Sequence, residues 1–219
     1  MTTSFRTRAA LGLVTAAVGG TLLTGCGKTS EDTASYTVEG QVASLRVKSA
    51  GGSIELVGGS GNEVKVTEKL RYSDDKPKTK HHVDNGVLTL TAPDDCGGGG
   101  GFGGSTCEVS YRVEIPKALA ANLRSDGGGI TVSGGVAGRL TARSDGGSIT
   151  VGGFPAAPES VDVSSSGGDV TLRMPAEAYA VDAATDGGSQ KVDVKTDPAS
   201  GHRIKARSDG GRVSVISVG

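Results

Sequence analysis

Apolar and polar residues alternate with a period of two along most of this chain, and the alternation breaks repeatedly at pairs of glycines. A period of two is typical of half-buried β-strands, and a glycine pair between two such runs indicates a tight corner. Alignment on the glycines gives one recurring module, apolar-x-apolar-x-Ser-x-Gly-Gly-x-Ile-x-Val. Its six copies occupy residues 45–56, 121–132, 140–151, 161–172, 181–192 and 204–215.

The spacing of the copies predicts the fold class. From the second copy onward the glycine pairs recur every 19, 21, 20 and 23 residues. Strand, corner, strand, corner with a repeat of about 20 residues predicts an all-β solenoid in which each coil stacks on the previous one. The inward positions should then form aliphatic ladders, made of Leu123, Leu140, Val161 and Ile204 and of Ile130, Ile149, Val170 and Val213.

The pentapeptide RSDGG occurs three times, at residues 124–128, 143–147 and 207–211. Glycine should supply the positive φ that a sharp corner needs, and Asp before it is a favoured turn residue. The Ser or Thr of each copy should point inward and bond the turning backbone. We interpret the following residues as corner turns: Asp126, Gly127, Gly128, Asp145, Gly146, Gly147, Gly187, Gly188, Asp209, Gly210 and Gly211.

A calcium site is the rival interpretation of the same corners. Acidic residues that could stack between coils and hold Ca²⁺ are Asp126, Asp145, Asp186 and Asp209. Arg124, Arg143 and Arg207 share their face and can compensate the charges instead. We therefore predict no metal and no cofactor, and keep this column as the alternative. Gln190 takes an inward position, so the fifth copy should be the weakest.

Residues 62–116 interrupt the repeat. The alternation predicts strands at 62–72, at 86–93 after an Asp-Asn-Gly turn, and at 107–116, with a charged loop at 73–80. These longer strands should widen and cap the first coils. His81 and His82 are adjacent, and neighbours in an extended chain point to opposite sides, so we predict a solvated loop there and not a metal site.

The N-terminal segment predicts export. Arg6 and Arg8 precede an uncharged apolar run that ends in Leu23-Thr24-Gly25-Cys26. This resembles the lipobox of bacterial lipoproteins, which implies a signal peptide at 1–25, a lipidated Cys26 and a tether at 26–35. Cleavage would leave 21 of the 23 basic side chains against 24 acidic ones, a balance that gives no reason to expect nucleic acid.

Two further cysteines, Cys96 and Cys107, flank a glycine-rich segment. In an exported protein the simplest interpretation is one disulfide between them. On the chain-entropy account, closing a loop of this size stabilises the fold by about 3 kcal/mol. A zinc site that adds His81 and His82 is the alternative.

The chain from residue 36 to 219 resembles the adhesin-like β-strand-repeat domains of bacteria, a family related to the adhesin head (GIN) domains. The residues that carry the resemblance are the first module, GVLTLTAP at 86–93, YRVEIPKAL at 111–119 and the S-D-G-G-x-I-x-V coils after them. The resemblance implies a right-handed parallel β-helix-like solenoid associated with the envelope. It implies no reaction, so no catalytic residue is expected.

Three functions remain open at this point. The first is a non-enzymatic, lipid-anchored module on the outer face of the bacterial cytoplasmic membrane, binding an envelope protein or cell-wall glycan. The second is homo-oligomeric self-assembly through an open edge at the last coil, VSVISVG. The third is a polysaccharide-processing enzyme, which would need two carboxylates placed together in a cleft. The acids are instead scattered along exposed repeat columns, and the sequence has no Gly-x-Ser-x-Gly elbow or His-Glu-x-x-His motif.

Overall fold

The computed structural model describes residues 29–59, 63–96, 106–116 and 118–218, which form strands, turns and loops. The predicted signal peptide, the lipidated Cys26 and most of the glycine-rich segment between the two other cysteines lie outside these residues. Within the described part, no helix is long and apolar enough to cross a bilayer. In chain order the strands are β1 (Ser30–Val38), β2 (Ser44–Ser49), β3 (Gly51–Gly58), β4 (Val64–Tyr72), β5 (Lys80–Asp84), β6 (Val87–Thr91), β7 (Cys107–Ile115), β8 (Leu119–Ser125), β9 (Ile130–Ser133), β10 (Val136–Ser144), β11 (Ile149–Gly152), β12 (Ser160–Ser165), β13 (Val170–Met174), β14 (Ala178–Thr185), β15 (Gln190–Asp193), β16 (Lys195–Thr196), β17 (Arg203–Ser208) and β18 (Val213–Ser217).

The strands form two nine-stranded sheets. Sheet A has the order β1-β4-β7-β3-β9-β11-β13-β18-β15, and sheet B has the order β16-β14-β17-β12-β10-β8-β2-β6-β5. Each module contributes its first strand to sheet B and its second strand to sheet A, because the glycine corner lies between them. The prediction of an all-β protein is confirmed.

Both sheets are mixed. The modules pair in parallel, but β1–β4 and β4–β7 in sheet A and β5–β6 in sheet B are antiparallel. A uniformly parallel stack of coils therefore does not describe the N-terminal end. β1 starts at Ser30, inside the segment predicted to be a tether, and extends sheet A by pairing with β4.

The core lies along the inward faces of the two sheets. The predicted aliphatic ladders are present: Leu140 pairs with Val161 in sheet B and Ile149 with Val170 in sheet A, each at most 1% exposed. All belong to one hydrophobic cluster that receives side chains from both sheets. Repeated aliphatic residues thus make up most of the core, and Tyr111 and Tyr179 are its two largest fully buried side chains.

The spatial order of the modules differs from their order in the sequence. β17 and β18, from the last copy, lie between the fourth copy and the fifth. Val213 consequently pairs with Val170 on one side and with Gln190 on the other. The prediction that each coil stacks on the previous one is wrong at this point, and so is the open edge predicted at β18.

The fifth copy forms the exposed end instead. β15 is the edge strand of sheet A, and Gln190 is exposed there, so its amide needs no buried partner. After β15 the chain adds the short β16 to the outside of β14 and then crosses back to form β17 between β14 and β12. This crossover places the more apolar last copy inside the stack.

The segment 73–91 contains one strand that the sequence did not predict. His81 and His82 lie in β5, an exposed edge strand paired with β6, where we expected a loop. Asn85 and Gly86 connect the two strands with φ values of 48° and 75°. Positive φ at both residues is typical of the type I′ turn that an Asn-Gly pair favours in a hairpin.

Candidate functional site

The most regular feature of the molecule is the corner column, which is formed by the inward Ser or Thr and the glycine pair at the corner of each module. In each module from the second onward, the inward hydroxyl accepts the N–H of its own second glycine. The same hydroxyl donates to the carbonyl of the second glycine in the preceding module of the spatial stack. For example, Gly147 N donates to Ser144 Oγ over 2.8 Å, and Ser144 Oγ donates to Gly128 O over 2.9 Å. The series is formed by Ser125, Ser144, Ser165, Ser208 and Thr185.

This hydroxyl series satisfies buried backbone groups at the turn, as predicted for the inward Ser and Thr. Ser49 begins it by donating to Gly52 O over 2.9 Å within its own module. The bonds follow the spatial order of the modules, since Thr185 donates to Gly211 O and Ser208 donates to Gly168 O. A buried amide or carbonyl without a partner is costly, so the column fixes both the turn and the stacking.

The glycines of the corners are needed for close approach, which corrects the expectation of positive φ. In the described residues, positive φ occurs at Gly51 but at none of the later module pairs. A Cβ on Gly128 would overlap the Gly52 carbonyl, and a Cβ on Gly147 would overlap the backbone of Gly128. The second glycines therefore form a ladder in which one backbone rests directly on the next.

The corner acids do not form one continuous column. Each predicted corner lies between a strand of sheet B and a strand of sheet A. In the spatial order of the modules, the corner with Ser166 lies between two pairs of acidic corners. These pairs are Asp126 with Asp145, and Asp209 with Asp186. Across the described ranges, no group of three or more His, Cys, Asp or Glu side chains could hold a metal ion. The calcium interpretation therefore lacks a continuous acidic ladder.

The arginines of RSDGG make ion pairs across strands. Arg124 reaches Asp145 over 2.9 Å and Asp126 over 3.3 Å, so it does compensate two corner acids. Arg143 and Arg207 instead pair with Asp162 and Asp182 on neighbouring strands, over 3.8 and 2.7 Å. These pairs are solvent-exposed, and each should contribute little to stability.

The disulfide prediction is confirmed, since Cys96 and Cys107 are joined. The bond links the end of the β6 region to the first residue of β7, beside a cleft of about 530 Å³ lined by Lys76, Lys78 and Asp95. The zinc alternative is excluded for these thiols because they are bonded to each other. His81, one of the two histidines in the zinc alternative, stacks on Tyr36 with ring centroids 4.4 Å apart.

A buried carboxylate that the sequence analysis missed lies at this end of the core. Glu68 on β4 is 4% exposed; its Oε1 accepts from the Tyr36 hydroxyl over 2.7 Å and its Oε2 from the Thr79 hydroxyl over 2.6 Å. Tyr111 lies opposite Glu68 on β7, and its buried hydroxyl has no partner among the described residues. The signal was present: Glu68 falls on the inward parity of Val64, Val66 and Leu70.

Burial first, and then the hydrogen bond to Glu68, raise the pKa of Tyr36. Burial and the nearby Glu68 charge raise the pKa of Tyr111. Both phenols therefore stay protonated at neutral pH, and Tyr36 acts as a donor. The cluster ties β1, β4 and the segment before β5 together, which is a structural role.

The outer face of sheet B carries an excess of positive charge. On the six parallel strands β2, β8, β10, β12, β17 and β14, the outward acids are Asp162 and Asp182. The outward cations are Arg46, Lys48, Arg124, Arg139, Arg143, Arg203, Lys205 and Arg207. Register places Lys48, Arg124 and Arg143 side by side on three adjacent strands.

A groove of about 700 Å³ lies on this face over β12, β17 and β14. Arg203 and Lys205 of the central strand line it, between Ser160 and Asp162 on one side and Ala180 and Asp182 on the other. Thr196 and Pro198 of the crossover form its wall. The groove combines two cations and two carboxylates, which suits a ligand that has both charge and hydroxyl groups.

No protein-family model and no curated protein sequence matches the chain. The fold is similar to the crystal structure of a putative cell adhesion protein from Clostridium sporogenes, with a TM-score of 0.59 and 13% identity, covering 87% of this chain and 100% of that one. A putative adhesin from Bacteroides fragilis aligns over 88% of this chain and 99% of its own, with a TM-score of 0.35 and 16% identity. At this level of identity, the first similarity establishes a shared fold.

Proposed function

We propose that the protein is a non-enzymatic, lipid-anchored binding module of the bacterial cell surface, with an adhesive or scaffolding role. The observation that carries the proposal is the outer face of sheet B, where six strands project charged side chains in register over a rigid core. The Clostridium sporogenes protein of the same fold is named a putative cell adhesion protein, which is consistent with the same role.

The surroundings of the buried carboxylate favour binding over catalysis. A general acid or base must reach a substrate proton directly or through one water. Glu68 is the buried acid among the described residues, and both of its oxygens accept hydrogen bonds from Tyr36 and Thr79. Its partners are internal, so we assign it to stability.

The proposed anchor is a lipid on Cys26, after removal of residues 1–25. β1 begins at Ser30, so only a few residues would separate the lipid from sheet A. The module would then lie close to the outer face of the cytoplasmic membrane. For the repeat region, the parallel pairing of β8 to β18 supports a parallel β-helix-like solenoid, which the antiparallel strands close at one end. The family resemblance implies that the solenoid is right-handed.

Self-assembly through an open edge is the weaker alternative. At the end of the stack formed by the fifth copy, the edge strand of sheet A is β15, and it carries Lys191 and Asp193, which form an ion pair over 3.5 Å. Charged side chains on a short edge strand are typical devices against edge-to-edge pairing. We therefore favour a module that binds a different molecule.

The test compares cells that produce the full chain with cells that produce the Cys26→Ser variant. We expect the wild-type chain to label with palmitate and to hold cells on purified cell-wall glycan. The Cys26→Ser chain should be released, and the released protein should still bind the glycan without creating new reducing ends. Absence of binding by both forms, or turnover of the glycan, contradicts the proposal.

A further inference from the structure

We propose that the groove over β12, β17 and β14 binds an acidic saccharide, a sugar unit that carries a carboxylate or phosphate group. The inference rests on the proposed binding function and names the chemistry of the ligand. The argument starts from Arg203 and Lys205, which are exposed and point outward from the central strand of the groove.

These two cations are available to a ligand. Arg124, Arg143 and Arg207 on the same face each have a carboxylate within 4 Å, whereas no ion pair to Arg203 or Lys205 occurs among the described residues. Register places Arg203 between Ser160 and Ala180, whose small side chains leave space beside the guanidinium. A guanidinium with open sides can bind a carboxylate or phosphate through two parallel hydrogen bonds.

The carboxylates of the groove suit the hydroxyls of a sugar. Asp162 and Asp182 lie opposite Lys205 on the two flanking strands. Arg143 and Arg207 pair with them from outside the groove, which fixes their orientation and leaves acceptor capacity. Ionised carboxylates accept hydrogen bonds, so they bind hydroxyl donors and repel a purely anionic surface.

This mixture of charges distinguishes a saccharide from a membrane. An anionic bilayer would present a continuous layer of negative headgroups to the whole face, including Asp162 and Asp182. A single acidic sugar can instead place its anionic group on Arg203 and Lys205 and its hydroxyls on the two aspartates. Charge complementarity therefore favours the sugar.

The wall of the groove is already held in place. Asp197 N donates to Tyr179 O over 2.9 Å, and Ser200 Oγ donates to Ala178 O over 2.7 Å. The His202 ring nitrogen Nδ1 lies 2.9 Å from Pro158 O. These bonds fix the crossover that carries Thr196 and Pro198, so a ligand would lose little affinity to ordering of the loop.

The experiment measures binding of the full chain, purified in detergent, to four probes. These are oligogalacturonate, a glycerol-phosphate polymer bearing sugars, neutral dextran and vesicles of phosphatidylglycerol. We expect binding to one or both acidic glycans, weakening as salt screens the contact. Arg203→Gln should weaken it by about tenfold or more, as expected for loss of a charge-assisted hydrogen bond.

Arg139→Gln is the matched control, because Arg139 lies two strands away in the same outward row and its side chain is 66% exposed. Equal losses for the two variants would overturn the groove assignment and indicate a diffuse charge effect. Binding to dextran alone or to vesicles alone would also overturn it. If the protein still binds cell-wall glycan but binds neither acidic probe, the groove proposal is wrong and the proposed binding function stands. If the protein does not bind cell-wall glycan either, both proposals are wrong.

Discussion

The two glycines of each corner face different physical demands. The second glycine stacks on the backbone of the neighbouring module, so its missing side chain is what allows the modules to approach. The first glycine has more room: a Cβ on Gly127 would meet its nearest atom, Gly51 Cα, at 3.6 Å, an ordinary contact distance. Neither Gly127 nor Gly128 has a positive φ.

Gly128→Ala should therefore destabilise the fold, whereas Gly127→Ala should not. The new methyl at position 128 would overlap the Gly52 carbonyl and force the modules apart, at a cost of about 1–3 kcal/mol. Gly127→Ala should be neutral or slightly stabilising, since it reduces the entropy of the unfolded chain. Chemical denaturation of both variants measures the difference. Equal losses of stability in the two variants would instead indicate that both glycines are required for their backbone conformation.

At the scale of single residues, the sequence predicted what a side chain does more reliably than the physical reason for it. The inward parity of Ser144 was enough to predict a hydroxyl bonded to the turn, and the hydrogen bonds confirm it. The parity of Gly147 could not distinguish a strained turn from a close contact, because the contact involves the backbone of another module. Glu68 could have been found from its inward position, but its partners could not, since Tyr36 lies 32 residues away and Thr79 lies in a segment outside the repeat.

At the scale of strands, the interchangeable modules explain why the stacking order was mispredicted. Each copy presents the same alternating pattern, so period alone cannot decide which copy pairs with which. The composition of the fifth copy contains the information: Gln190 occupies an inward position that every other copy fills with Ile or Val. A polar inward residue costs the least folding free energy at the end of the stack, because the inward side of the strand is partly exposed there.

The stacking order predicts opposite sensitivities at two equivalent positions. Val213 is fully buried between Val170 and Gln190, so Val213→Gln should destabilise the protein by about 2–4 kcal/mol through lost packing and a buried amide. Gln190→Val should change stability by less than about 0.5 kcal/mol, as for most surface substitutions. Denaturation midpoints of the two variants provide the measurement.

If the strands stacked in sequence order, the result would be reversed. β18 would then be the edge, Val213→Gln would be tolerated, and Gln190→Val would stabilise a buried position. The comparison therefore tests the crossover through β16 directly, without a structure of either variant.

At the scale of the whole molecule, the overall charge hides an asymmetry. The chain has 23 basic and 24 acidic side chains, so its formal charge of −1 indicates no polyanion partner. Folding nevertheless gathers eight cations and two acids on the outer face of the six parallel strands β2, β8, β10, β12, β17 and β14 of sheet B. β17 alone contributes Arg203, Lys205 and Arg207 through its outward parity. The repeat could be predicted from the sequence, but the groove could not, since it depends on β17 lying between β12 and β14.

The tyrosines make the stability of the whole fold sensitive to alkaline pH. The chain has four tyrosines and no tryptophan, and the folded protein raises the pKa of each phenol above the ordinary value of 10.0. Burial is the main cause for Tyr36, Tyr111 and Tyr179, and the hydrogen bond to Asp32 is the main cause for Tyr72. The unfolded chain therefore releases these protons at a lower pH than the folded chain.

A folded-state pKa above the unfolded value gives stability that is complete below pH 10 and is lost as the pH rises further. We expect the denaturation midpoint to fall above pH 10 and tyrosinate absorbance to appear together with unfolding. Tyr111→Phe is the informative variant, because its hydroxyl has no partner among the described residues and its removal breaks no known hydrogen bond. The fall in the denaturation midpoint above pH 10 should be shallower in this variant than in the wild-type protein. Phenols that titrate at their ordinary pKa in the folded protein, with an unchanged midpoint, would show that the Glu68 end of the core is open to water.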